Sequence, residues 1–140
     1  CQPKPKLIDS LDTVLYSLSN VIDDKEQRSA RQNTGYGKRL AYRTKEHGME
    51  YRTPGSWCLS PSVTLVTLTL AKLSALSVVE DDLNLKEIKG TMDSGSFLRK
   101  LKTFLKTIPT DCVEGLNELE ILLQKKVDWN QNILPNWGIA

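Results

Sequence analysis

The sequence predicts an all-α protein, a four-helix bundle with a long first connection, and three patterns predict it. An apolar stripe at helical spacing runs through residues 7–22. A Ser-Pro pair opens a long apolar run at residue 60, and two further stripes flank Pro109. Each stripe must be covered, and helices that cover one another form a bundle.

Each element follows from its own residues. Pro3 and Pro5 suit an extended lead-in and a helix start, after which Leu7, Ile8, Leu11, Val14, Leu15, Leu18, Val21 and Ile22 recur every three or four positions. Asp9 and Asp12 suit the positive end of that helix. Between residues 24 and 56 the apolar period disappears, and Gly35, Gly37, Gly48, Pro54 and Gly55 interrupt a charged stretch, so a long loop is expected. Short strands around Leu40–Tyr42 or Met49–Tyr51 stay open. Residues 60–79 carry Val, Leu and Thr in a pattern compatible with a strand, but Ser60 and Pro61 fit an N-cap and first turn. Its length favours a helix. Residues 80–95 are expected to connect, with a short apolar piece at Leu83, Leu85 and Ile88. Phe97, Leu98, Leu101, Phe104, Leu105 and Ile108 then form one face, with Ser96 as cap and Pro109 as stop. Asp111 and Glu114 resemble a capping box for a last helix bearing Leu116, Leu119, Leu123 and Val127. The tail, 129–140, offers Trp129 and Trp137 to pack on the bundle. Residues 1–140 are expected to form one domain.

Composition limits the partners. The formal net charge is +2, so recognition of a polyanion or a membrane surface has to come from local clusters. Val63–Val79 approaches the lower length limit for a bilayer span but carries Lys72, and no membrane insertion is expected. A chain beginning at Cys1 is most simply produced by removal of a leader, which favours a secreted, extracellular protein. No Asn-x-Ser/Thr acceptor accompanies it. Cys1, Cys58 and Cys112 allow at most one internal bridge.

Catalytic, metal and cofactor chemistry are not expected. His47 is the single histidine and lies in a polar loop, without triad or ligand spacing around it. The Gly35-Tyr36-Gly37-Lys38 stretch looks superficially like a phosphate loop without the flanking strand and helix. Asp23-Asp24 and Glu80-Asp81-Asp82 are acidic clusters suited to helix ends, or to meeting a cation. Lys25, Arg28, Arg31, Lys38, Arg39, Arg43, Lys45 and Arg52 surround Tyr36, Tyr42 and Tyr51. That set suits nucleic acid or a glycosaminoglycan such as heparin, though interspersed acids dilute it and a solvated loop is the plainer reading. A helical carrier of an apolar ligand is a further alternative.

The segment from Phe97 to Cys112, with Phe-Leu-x-x-Leu-Lys at its start and Phe-Leu-x-x-Ile-Pro-x-Asp-Cys at its end, resembles the last helix of short-chain four-helix cytokines, the interleukin-4 and granulocyte–macrophage colony-stimulating factor group. Cys58 before an apolar helix is similar to the family's second-helix start. The resemblance implies a ligand that brings cell-surface receptor ectodomains together. Its receptor-binding residues would be Asp9, Asp12 and Tyr16 on the first helix and Arg99, Lys102 and Lys106 on the basic one. It also implies a Cys1–Cys112 bridge, leaving a monomer or a Cys58-linked dimer. The family carries more cysteines, and its third connection is long where the one at Pro109 is short.

Overall fold

In the computed structural model, residues 5–55, 57–79, 94–107, 115, 117, 118, 120, 121 and 132–139 are described. The first stripe forms a rod of three consecutive stretches: α1 (Pro5–Leu11), a π-helical turn (Asp12–Tyr16) and α2 (Ser17–Ile22). Leu11, Tyr16 and Ser17 at the joints all have right-handed helical dihedrals, so the backbone runs on as one helix. Thr13 and Ser17 donate their hydroxyls to carbonyls four residues back, at 2.8 and 3.1 Å. Such bonds compete with the helical ladder, and these two bracket the widened turn.

Asp23 and Asp24 end the rod in extended conformation. Asp24 then accepts the Glu26 amide at 3.1 Å and caps α3 (Lys25–Gln32), a helix with no buried residue. Two strands follow, β1 (Tyr42–Lys45) and β2 (Gly48–Tyr51), antiparallel with Tyr42 opposite Tyr51 and Arg43 opposite Glu50. Residues 46 and 47 make the two-residue turn, and Gly48 at φ 155° takes a conformation that side chains disfavour. The Ser60 hydroxyl accepts the Val63 amide at 3.2 Å and Pro61 occupies the first turn of α4 (Pro61–Leu76). Its β-branched content does not prevent the helix, because Thr67 turns its buried hydroxyl onto the Val63 carbonyl at 2.9 Å. Next comes α5 (Ser94–Leu105), and a 3-10 turn (Leu134–Trp137) closes the described chain. That turn docks on the segment before α4: Asn136 donates to the Leu59 carbonyl at 2.8 Å and Trp137 to that of Cys58 at 3.0 Å.

One core joins the three long elements. Leu11, Val14, Leu15, Leu18 and Ile22 of the rod meet Val63, Val66, Leu70 and Leu73 of α4 and Phe97, Leu98, Leu101 and Leu105 of α5. Gly115 lies so near α4 that a Cβ there would stand 2.5 Å from the Ser62 carbonyl oxygen, so its own backbone packs directly on that of α4.

The expectation of an all-α four-helix bundle is corrected: four helices are accompanied by a two-stranded antiparallel sheet. The region 24–56 is the reason, since the Asp24 cap and the Gly48 turn build α3 and the hairpin where the lost apolar period predicts a loop. Ser96, expected to cap its helix, lies inside α5. Among the described residues no helix is long and apolar enough to cross a membrane. The connector 80–93, the Pro109 turn, Cys1 and Cys112 lie outside the described residues.

Candidate functional site

A cavity of about 460 Å³ opens where α2, α3, the segment before α4 and the tail meet. One wall is apolar, made by Ile22, Trp57, Leu59 and Ile133; the other carries Asp23, Arg28 and Arg31. The local sequence places them. Asp23 leaves α2 in extended conformation, so its side chain drops beneath α3 instead of continuing the rod. Arg28 and Arg31 are three apart on α3 and share the face above it. Gly55 passes so close that a Cβ there would overlap both Asp23 carboxylate oxygens.

The electrostatics of this corner are unusual. The Asp23 side chain is 5% exposed, and Arg31 Nη1 stands 3.5 Å from its Oδ2. Among the described residues neither Asp23 oxygen has a hydrogen-bond partner. Burial pushes the Asp23 carboxyl above its usual range, and the positive charges of Arg28 and Arg31 only partly offset that. Arg31 is anchored by donating to the Pro54 carbonyl at 2.7 Å. Arg28 donates through Nη1 to Asn20, and its guanidinium carbon lies 5.3 Å from the centre of the Tyr16 ring. Its Nε and Nη2 are buried and unpaired. Buried polar groups are rarely left so, and here the residues that carry the orphaned acceptors and donors both line one cavity.

A second polar cluster is fully satisfied. Asp12, 1% exposed, accepts the Leu40 amide at 2.8 Å, Tyr51 Oη at 2.9 Å and Arg39 Nε at 3.0 Å, while Thr53 lies at 3.4 Å. This carboxylate pins the hairpin to the rod. It also corrects the placement of Asp12 on an exposed helix face: Asp12 lies one turn beyond buried Ile8, and Arg39, Leu40 and Tyr51 cover that flank of the rod. Tyr16, half-buried, is flanked by Arg28 and Arg39. Asp9 is exposed on the rod. Arg99 is exposed and donates to Ser96 at 2.9 Å; Lys102 pairs with Glu120; Lys106 is exposed beyond the end of α5. Of the six residues assigned to receptor contact, Asp12 and Tyr16 are brought together by Arg39, whose charge Asp9 also feels. Arg99, Lys102 and Lys106 lie apart on and just after α5, and of the six, Tyr16 touches the cavity's Arg28. Cys58, exposed, is a free thiol on the cavity wall.

The phosphate-loop resemblance does not hold. The amides of Gly35, Tyr36 and Gly37 are bonded to the carbonyls of Gln32, Arg31 and Arg52, leaving none to cradle a phosphate. The basic loop is likewise occupied internally. Arg43, Lys45 and Arg52 all pair with Glu50, whose carboxyl Arg52 and Arg43 hold down to about 2. His47 is exposed beside Glu46. Among the described residues no group of three or more His, Cys, Asp or Glu gathers to hold a metal.

The fold and cavity define a mainly helical protein whose candidate site is a cavity with one apolar wall and one charged wall. Residues 1–133 match the family model described as phage phiEco32-like COOH.NH2 ligase-type 2, and the chain belongs to that family. No curated protein matches the chain, and no solved structure does. Membership of a ligase family indicates an enzyme and overturns the expectation of a non-catalytic cytokine that assembles receptor ectodomains. It supports neither cell-surface receptors as partners nor the polyanion-binding and carrier alternatives. Amphipathic helices with Phe-Leu-x-x-Leu spacing arise wherever a helix covers a core, which is why the cytokine resemblance misleads. Asp23 and Arg28 are the residues that sequence reasoning missed as a site. The only signals were the Asp23-Asp24 pair at a helix end and Gly55 after Pro54.

Proposed function

We propose that this chain acts in joining a carboxylate to an amine, with the Asp23 cavity as its substrate pocket. One observation carries the reading: Asp23 and Arg28, which among the described residues keep unpaired acceptors and unpaired donors buried behind the surface, are both lining residues of the same partly apolar cavity. A carboxylate and an ammonium group are the two ligand groups that complete such a pair. Asp23 accepts from the ammonium and takes one of its protons, leaving the nitrogen lone pair free to attack. Its raised pKa suits that role, since a base works best when its own pKa approaches the working pH. Arg28 and Arg31 hold a carboxylate in a site that Trp57 and Ile133 shield from water.

Amide formation also requires the departing carboxylate oxygen to be taken up, as by a nucleoside triphosphate that becomes the diphosphate and phosphate. The described residues do not make a phosphate and metal site: the Gly35–Gly37 amides are occupied and no acidic cluster exists among them. The steps assigned here are therefore those of Asp23, Arg28 and Arg31. The test is incubation with a nucleoside triphosphate, a panel of carboxylates and a panel of amines. Amine-dependent phosphate release and an amide product by mass spectrometry are expected, both lost in Asp23→Asn. Absence of any product from the wild-type chain overturns the reading.

A further inference from the structure

The apolar wall of the cavity has a fixed part and a carried part. Ile22 belongs to the core, and Trp57 and Leu59 pack against it. Ile133 is not among the described residues that do so; the tail brings it to the wall. That tail is stiff within itself. Asn132 accepts the Leu134 amide at 3.1 Å, the Ile139 amide reaches back to the Leu134 carbonyl at 3.0 Å, and Gly138 closes the turn at φ 68°. Its hold on the rest is slight. The turn Leu134–Trp137 buries no residue, and among the described residues its hooks are Asn136 on the Leu59 carbonyl and Trp137 on that of Cys58. We infer that residues 132–139 form a strap that unhooks as a unit from Cys58 and Leu59, opening the cavity on its Ile133 side to admit substrate and closing it against water.

Three observations favour a strap over a fixed wall. Both hooks are exposed hydrogen bonds to backbone carbonyls, where water replaces a released donor at little cost. The bonds that shape the turn run between residues 132 and 139, so unhooking leaves the turn folded. The hooks also sit beside the wall they control: Ile133 directly precedes the turn, and Cys58 and Leu59, whose carbonyls are gripped, line the cavity themselves. Release of Asn136 and Trp137 therefore carries Ile133 away from Trp57 and Leu59. Elements that move for ligand entry are drawn from such weakly held segments. The family match ends at Ile133, so the turn that bears the hooks lies beyond the matched residues. The inference rests on the ligase reading in one respect only, that what enters the cavity is substrate.

Magnetic resonance of the chain labelled with 5-fluorotryptophan tests it, with the Trp57 and Trp137 signals assigned by Trp57→Phe and Trp137→Phe. Exchange of the Trp137 indole proton reads the hooks, and relaxation of the Trp57 fluorine by a dissolved gadolinium chelate reads access to the cavity. Asn136→Ala removes one exposed hydrogen bond and should speed indole exchange by about 2- to 10-fold, the range for one such bond. Relaxation of Trp57 should rise with it, while the amide of Leu70 in α4, 1% exposed, exchanges as before. Gly138→Ala meets no neighbouring atom but strains the left-handed backbone of the turn, and it should act in the same direction. Circular dichroism checks the fold of both variants. A wild-type indole proton that exchanges as slowly as the Leu70 amide overturns the inference. Faster exchange with Trp57 relaxation unchanged also overturns it, as does the absence of change in both variants. Amide formation by a chain whose two readouts stay unchanged removes the strap and leaves the ligase reading. Readouts that rise in a chain forming no amide uphold the strap and remove that reading.

Discussion

Arg31 Nη1 lies 3.5 Å from Asp23 Oδ2, close enough to attract it, yet no hydrogen bond joins them. The guanidinium is turned to the Pro54 carbonyl instead, and Gly55 presses on the carboxylate from the other side. Asp23 is therefore held in place by packing while its oxygens stay unbonded. That arrangement costs stability and leaves binding capacity in reserve, as functional sites often do.

The cost is measurable as a pH dependence. Because burial raises the Asp23 pKa, the folded state keeps a proton that the unfolded chain releases. This contribution favours folding below the ordinary value of 3.8 and is progressively lost as pH rises through the raised folded pKa. Asp23→Asn removes the charge, so thermal melts should show the variant more stable than wild type at pH 7 by about 1 kcal/mol, a fraction of a buried-acceptor penalty. Near pH 3 the difference should vanish.

Gly55→Ala places a Cβ on both Asp23 oxygens, and something must move. Urea unfolding is expected to show a loss of about 1–3 kcal/mol, the range for overpacking. In an Asp23→Ala background the same change should cost much less, because the obstructing carboxylate is gone. A double-mutant cycle with no coupling would show that the close approach is unimportant.

Tyr51→Phe removes the phenol that donates to Asp12 at 2.9 Å. The buried carboxylate is left short of a donor, and chemical denaturation should register about 1–3 kcal/mol. Tyr42, on the opposite strand and 43% exposed, serves as control: Tyr42→Phe should stay within about 0.5 kcal/mol.

Leu40 has φ 57°, a left-handed conformation that a branched side chain resists, and this geometry aims its amide at Asp12. Left-handed backbone costs about 1–2 kcal/mol for an ordinary residue, partly offset in glycine by the entropy of the unfolded chain. Since Leu40 is 48% exposed, little burial is lost, and Leu40→Gly should raise the unfolding free energy read from urea titration by up to about 1 kcal/mol.

The helical core was legible because it depends on stripe period. Leu11, Val14, Leu15 and Leu18, then Val63, Val66 and Leu70, then Phe97, Leu98, Leu101 and Leu105 are buried as their spacing requires. The strand-like Val-Thr run became α4 because its Ser60 cap and its length outweigh β propensity. α3 left no such mark, since it buries nothing. The hairpin showed only in the short strand kept open at Met49–Tyr51, which is β2, because its strands are held by charge pairs and one carboxylate. Asp12 looked solvated because it is charged and lies at the edge of the apolar stripe, and its burial comes from Arg39, Leu40 and Tyr51, which the sequence did not place beside it. Asp23 and Asp24 are neighbours of the same type with opposite fates. One caps a helix in view of solvent and the other is buried beneath it, a difference set by the path of the chain at residues 54–55, more than thirty positions away.

The central claim is that Asp23 handles the reacting amine, and the pH dependence of amide formation in wild type and Asp23→Asn tests it most directly. The wild-type rate should climb with pH as Asp23 loses its proton, at a pH above the usual carboxylate range. Asp23→Asn should be slower by about 10²- to 10⁴-fold and lack that limb. Equal rates with superimposable profiles would contradict the account.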